Sequence, residues 1–161
     1  MFVGRKKELD ALNSRYKSNR KEFGVLYGRR RIGKSSILNE FLKGKKGILF
    51  QAKQDNSYGN LKSFSYEVDH LLNLPDTFVF ASWQHAFKSI QEYAKNERFV
   101  LVIDEYPYIV SQDSSFSSVL QEFIDHASDN MMVILSGSDI GFLQKEIQNH
   151  ASPLYKRRTF E

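Results

Sequence analysis

Apolar residues in this chain fall into short continuous runs separated by stretches of helical spacing, an alternation that predicts a mainly parallel sheet covered by helices. Leu9, Leu12 and Tyr16 recur at helical intervals before the polar stretch from Lys17 to Lys21, and the run Phe23-Gly-Val-Leu-Tyr27 follows as a strand. Ile37, Leu38, Phe41 and Leu42 form the buried stripe of the next helix, and Gly44 and Gly47 end it ahead of a short strand, Ile48-Leu-Phe-Gln51. Leu61, Phe64, Val68, Leu71 and Leu72 carry a helical period up to Pro75, and Trp83, Phe87, Ile90 and Ala94 carry another from Ser82, so the region predicts a paired helical crossover between strands. Phe99-Val-Leu-Val-Ile103 is the strongest strand and belongs in the centre of the sheet. Phe116, Val119, Leu120, Phe123, Ile124 and Ala127 predict a helix with Asp113, Ser114 and Ser115 as capping candidates. Met131-Met-Val-Ile-Leu135 is the next buried strand, and Phe142, Leu143 and Ile147 predict a short helix before Pro153.

The chemistry concentrates at the ends of these strands. Gly28-Arg-Arg-Arg-Ile-Gly-Lys-Ser35 fits the phosphate-binding pattern G-x-x-x-x-G-K-[ST] and lies between a predicted strand and a predicted helix, the context the pattern requires. Gly28 and Gly33 allow the backbone to curl so that N–H groups converge on a phosphate, and the helix N-terminus adds free donors. The candidate phosphate contacts are therefore Gly28, Arg29, Arg30, Arg31, Ile32, Gly33, Lys34, Ser35 and Ser36, with the three arginines needed only for their backbone. Lys34 is placed to reach the outer phosphates, and the Ser35 hydroxyl to be a ligand of Mg²⁺. The fold class that follows is α/β: a three-layer α/β/α P-loop nucleoside triphosphatase core with Walker A and Walker B strands.

The strand ending at Ile103 continues into Asp104 and Glu105, at the strand end where open α/β sheets bind ligands. Adjacent carboxylates there repel each other unless a cation or water compensates them. Beside a phosphate loop this assigns Asp104 to a Mg²⁺-bound water and Glu105 to the water that attacks the γ-phosphate. At the tip of the next strand Ser136 and Ser138 are both candidates for bonding that water or the γ-phosphate, and the sequence does not separate them. Tyr58, Tyr66 and Trp83 are candidates for stacking on a base, although aromatics at helical spacing are more often core. The histidines have no metal-ligand spacing, and Gly-Ser-Asp-Ile-Gly around Ser138 is not a nucleophile elbow.

Composition narrows the classes without choosing among them. At 161 residues, 41% hydrophobic and 26% charged, the chain is the size of one soluble globular domain, and no apolar run approaches the ~20 residues of a membrane helix. Positive charge near Met1 has no apolar segment behind it, so a cytoplasmic location is expected, and the lack of cysteine rules out disulfides and thiol catalysis. Residues 1–46 hold 14 Lys/Arg against 4 Asp/Glu, so the half with the phosphate loop is the basic half. A triphosphate or a polyanion such as nucleic acid would both be drawn to it.

Five stretches taken together, Phe2-Val-Gly-Arg-Lys-Lys-Glu-Leu9, Tyr27-Gly-Arg-Arg-Arg-Ile-Gly-Lys-Ser35, Val102-Ile-Asp-Glu-Tyr-Pro-Tyr108, Leu135-Ser-Gly-Ser138 and Ser152-Pro-Leu-Tyr155, resemble in order the archaeal-type P-loop ATPase family, related to the AAA and STAND groups. The resemblance implies that Val3, Gly4 and Arg5 lie near the adenine and ribose, and that the strand ending at Leu135 separates the Asp104 strand from the phosphate-loop strand. Relatives usually have Gly-Arg after the Pro-Leu-Tyr stretch. Here Lys156-Arg157-Arg158 stands instead, so either Arg157 or Arg158 is the implied γ-phosphate contact.

The resemblance also implies a helical lid, a winged-helix region and output domains beyond Thr159-Phe-Glu161, so the expectation is an ATPase core. That core is expected to act as a switch or motor with ATP and Mg²⁺, with weak turnover alone and self-association through an open sheet edge. The alternative is a nucleotide-stabilised interaction or nucleic-acid-binding module with little or no hydrolysis. Glu105 favours the first, because a binder has little use for an acid after Asp104.

Overall fold

The computed structural model describes residues 6–27, 34–75, 78–138, 141 and 145. Their elements run α1 (Lys6–Tyr16), β1 (Glu22–Tyr27), α2 (Lys34–Leu42), β2 (Gly47–Gln51), α3 (Ser57–Leu72), α4 (Trp83–Tyr93), β3 (Phe99–Asp104), α5 (Pro107–Gln112), α6 (Phe116–His126) and β4 (Met131–Gly137). All pairings in the sheet are parallel, in the order β1-β4-β3-β2. The strand ending at Gly137 thus sits between the phosphate-loop strand and the Asp104 strand, as the family resemblance implies. β3 and β4 are buried along their whole length, which is why they read as uninterrupted apolar runs.

Alternation along the strands divides the core into two. Phe23, Val25, Ile48, Phe50, Phe99, Leu101, Ile103, Met131, Val133 and Leu135 face a cluster built with α3, α4, α5 and α6. The intervening Val100, Val102, Met132 and Ile134 face Leu12 of α1 and Ile37, Leu38 and Phe41 of α2. The result is the expected three-layer α/β/α arrangement, and side chains of even number at the ends of β3 and β4 emerge on the α2 side.

The paired crossover between β2 and β3 is present as α3 and α4. Trp83 is buried against Phe64, Phe50 and Phe116, so it is core and does not face a base. Tyr58 and Tyr66 depart from the core expectation: both are exposed, because the buried stripe of α3 runs through Leu61, Phe64 and Val68 and leaves them on the opposite side. α3 is capped by Asn56, whose side chain accepts from Gly59 N–H, and ends at Asn73 in the left-handed region, two residues before Pro75. Gly44, at φ 75°, takes the same role after α2.

The expected capping of α6 is met differently. Asp113 Oδ1 accepts from Ser115 N–H at 3.1 Å and from Ser115 Oγ at 2.5 Å, while Ser115 itself makes no side-chain cap. The six residues of α5 were not anticipated; Pro107 at its start is the one local signal for them. The predicted helix around Phe142, Leu143 and Ile147 lies outside the described residues.

At the opposite end of the sheet from Asp104, one side chain ties the layers together. Arg98 donates from Nε to Tyr16 O at 3.0 Å, from Nη1 to Arg20 O and Asp129 O at 2.6 Å each, and from Nη2 to Arg15 O at 3.0 Å. Burial pulls the guanidinium below its ordinary value, with Glu22, Tyr16 and Asp129 opposing. An arginine keeps its charge regardless. It caps the last carbonyls of α1, which packs on α2, the helix that carries Lys34. Arg98→Ala should therefore lower stability by about 2 kcal/mol, the scale of a few partly solvated charge-assisted bonds, read as a drop in the urea midpoint. An unchanged midpoint would make the clamp energetically idle.

Candidate functional site

Three parallel strand ends and one helix start converge here. The register aligns Gln51 of β2 with Asp104 of β3 and Asp104 with Ser136 of β4, a row of polar residues where the strands emerge from the core. α2 begins at Lys34, directly above that row. Lys34, Asp104 and Ser136 are 4%, 3% and 0% exposed, so these polar groups are buried and must satisfy one another.

They do so closely. Lys34 Nζ lies 2.8 Å from Asp104 Oδ1 and 3.3 Å from Glu105 Oε1. Asp104 Oδ1 also accepts from Ser136 Oγ at 2.8 Å and from Glu105 N–H at 2.9 Å. Asp104 Oδ2 is left with Ser35 Oγ at 3.5 Å. Glu105 Oε1 accepts a second bond from Ser138 Oγ at 2.8 Å. The two serines are thereby distinguished by position: Ser136 holds Asp104 and Ser138 holds Glu105.

Glu105 is set by its backbone as well. Its φ of 55° is in the left-handed region, a conformation disfavoured for a residue with a side chain and enriched at functional sites. The following residue keeps it there: Tyr106 is fully buried, donates its N–H to Ser136 O at 3.2 Å, and its hydroxyl lies 2.6 Å from Ser117 Oγ. The chain then enters α5 at Pro107. Sequence reasoning missed this anchor, although a tyrosine and a proline directly after paired acids were visible.

The described residues Lys34, Ser35, Asp104, Glu105, Ser136 and Ser138 are all brought together, and Ser36 is exposed in the first turn of α2. Val3, Gly4, Arg5, Gly28, Arg29, Arg30, Arg31, Ile32, Gly33, Arg157 and Arg158 lie outside the described residues. An open cavity of about 360 Å³ adjoins the cluster, lined by Lys34, Ser35, Gln51, Ala52, Lys53, Gln54, Asp104, Glu105 and Tyr108. Gln51 at the end of β2 and the residues just after it on that wall were not singled out as site residues.

The donor set suits a hard cation. Asp104 Oδ2 and Ser35 Oγ are neighbouring oxygens, and among the described residues of the cluster Lys34 offsets one of the two carboxylate charges, which leaves one excess negative charge there. Among the described residues no three metal-ligating side chains gather. Two oxygens such as Asp104 Oδ2 and Ser35 Oγ fit the needs of Mg²⁺, which binds through one or two protein oxygens together with phosphates and water.

A parallel α/β sheet in which the helix after its first strand starts on a lysine above a strand-end acid defines a P-loop nucleotide-binding fold. The chain matches, over residues 2–160, the family described as an ATPase domain predominantly from Archaea, and it belongs to that family. An uncharacterized protein of Methanocaldococcus jannaschii is 29% identical over 161 residues, 99% of this chain and 34% of that protein. An uncharacterized ATP-binding protein of the same organism is 46% identical over 46 residues, 29% of this chain and 78% of that protein. Among solved structures, the Walker-type ATPase of Pyrococcus abyssi superposes with a TM-score of 0.74 at 22% identity, covering 97% of this chain and 51% of that one. The Orc1 protein of Aeropyrum pernix, solved in complex with DNA, gives 0.70 at 15% identity over 99% of this chain and 45% of that one. These structural likenesses show the fold alone. The chain spans about a third of the first relative and half of the Pyrococcus protein.

Proposed function

We propose that this ATPase domain binds ATP with Mg²⁺ and hydrolyses it, serving as a switch or motor for other domains or partners. The observation that carries the proposal is the buried cluster in which Lys34 bridges Asp104 and Glu105 directly beside Ser35. An ammonium has three donors, and two are used by the carboxylates, so the third is available to an outer phosphate oxygen. Ser35 Oγ and Asp104 Oδ2 would hold Mg²⁺ and its water, and the ion would supply positive charge to the phosphate oxygens. Ser136 fixes the Asp104 carboxylate by occupying Oδ1, which leaves Oδ2 for that task.

Among the described residues only Oε1 of Glu105 is engaged, leaving Oε2 to take a proton from the attacking water. The water oxygen then bonds the γ-phosphorus as its bond to the bridging oxygen breaks, and ADP leaves with that electron pair. Arg157 or Arg158, and contacts of Val3, Gly4 and Arg5 with the adenosine, belong to the same proposal on the strength of family resemblance.

A second role is favoured by one surface. Lys6, Lys7, Arg15, Lys17 and Arg20 are exposed along α1 and the turn after it, and a polyanion such as nucleic acid would be attracted there. No described helix is long and apolar enough to cross a membrane. Equilibrium binding of a fluorescent ATP analogue and release of inorganic phosphate, each with and without Mg²⁺, test the main proposal. Saturable Mg²⁺-dependent binding with slow steady turnover is the expected result. No nucleotide binding would overturn it, and binding without turnover would leave the interaction module as the better account.

A further inference from the structure

We propose that Gln51, at the end of β2, is a positioning residue that shares with Asp104 the task of orienting a Mg²⁺-bound water. The inference rests on the Mg-ATP reading above and assigns to it a residue that neither the phosphate-loop pattern nor the acidic pair contains.

Register provides the first observation. Gln51 is the β2 partner of Asp104, and in a parallel ladder partners project to the same side of the sheet. The alternation in β2 agrees: Ile48 and Phe50 enter the core under α3 and α4, whereas Leu49 packs on the α2 side. Gln51 therefore follows Leu49 onto the face where Lys34 and Ser35 begin α2. Asp104 stands between two neighbours in one row, Ser136 on β4 and Gln51 on β2.

The second observation is how the Asp104 oxygens are used. Oδ1 already accepts from Lys34, Ser136 and the Glu105 N–H, and its hydroxyl partner comes from the β4 side. Among the described residues Oδ2 has only the longer contact with Ser35 Oγ. Gln51 is exposed and lines the cavity that Asp104, Ser35 and Glu105 also line. A primary amide both donates and accepts, so it can hold a water whose other partners are a carboxylate oxygen and a cation.

Third, the segment is fixed. Immediately after Gln51, Ala52 N–H donates to Asp104 O at 2.9 Å. Lys53 is held from both sides by buried Asn60, whose Oδ1 accepts from Lys53 N–H at 2.9 Å and whose Nδ2 donates to Lys53 O at 3.0 Å. Asn60 sits in the first turn of α3, which Asn56 caps. The β2 wall is thus tied both to the acid it faces and to a helix end, and the backbone that carries Gln51 does not have to be ordered when the cation arrives.

The test is a Mg²⁺ titration of the full chain with a fluorescent ATP analogue, in wild type, Gln51→Ala and Gln51→Glu, with urea midpoints as the folding control. Gln51→Ala should raise the half-saturating Mg²⁺ about tenfold, the lower end of the effect of losing an outer partner of a metal site, and leave nucleotide binding without Mg²⁺ unchanged. Gln51→Glu should shift it the other way, because a further carboxylate draws the cation more strongly. Opposite shifts support the proposal. Equal Mg²⁺ dependence in all three proteins, or shifts of the same sign in both variants, would overturn it while the Mg-ATP reading stands. A wild-type chain whose nucleotide binding ignores Mg²⁺ would overturn both.

Discussion

Lys34→Ala is expected to abolish measurable Mg-ATP binding and to lower the stability of the domain by about 3 kcal/mol, the lower end for breaking a buried ion pair from one side. The two effects share a cause. Lys34 is the cation between Asp104 and Glu105, at 2.8 and 3.3 Å, and all three residues are buried. Truncating it leaves two like charges in contact with the core and removes the cation that lets that negative cluster face a polyphosphate. Because lost stability alone could lower apparent affinity, the measurement has to compare ligands. Urea midpoints would follow the fold, and titrations with Mg-ATP and with adenosine under folding conditions would follow the site. Affinity for Mg-ATP should fall far more than affinity for adenosine. Equal losses would place Lys34 away from the phosphates, and an unchanged midpoint would mean that the buried pair is worth less than its geometry implies.

The sequence made the strands legible wherever burial on both faces leaves no choice of residue. Phe99 to Ile103 and Met131 to Leu135 contain nothing polar, and both are fully buried in the two central strands. Lys34, Ser35 and Asp104-Glu105, which the structure brings together, stood out for a different reason, since the chemistry expected of them restricts the residue types at fixed spacing. What stayed hidden depends on contacts between distant parts of the chain. Ser136 and Ser138 look interchangeable as letters, yet one ends a strand facing Asp104 and the other has turned towards Glu105. Gln51 is an ordinary glutamine until the β2 to β3 register sets it beside Asp104. α5 is too short to express a period, and Tyr58 and Tyr66 fell on the exposed side of a helix whose apolar stripe was otherwise read correctly. Asp113 and Ser115 were recognised as a cap, but which side chain accepts is a matter of local backbone geometry that composition does not encode.

Glu105→Gln should separate binding from chemistry. The amide is nearly the same size as the carboxylate, and its carbonyl oxygen can still accept from Ser138 Oγ and Lys34 Nζ, the two partners that Glu105 Oε1 has now. The left-handed backbone at φ 55° is as accessible to glutamine as to glutamate, so the fold and the urea midpoint should change little. The electrostatic change is larger. With Glu105 neutral, Lys34 and Asp104 balance, and a negative charge that would repel the γ-phosphate is gone, so ATP should bind as well as before or somewhat better. What the amide cannot do is take a proton. If Glu105 is the general base, phosphate release should fall by roughly 10²-fold or more while ATP affinity holds. Single-turnover phosphate release beside equilibrium ATP titration measures the two separately. Turnover equal to wild type would remove Glu105 from the mechanism and leave its strained backbone and its bond to Ser138 as features of the fold, whereas parallel loss of affinity and turnover would mark it as part of the binding surface.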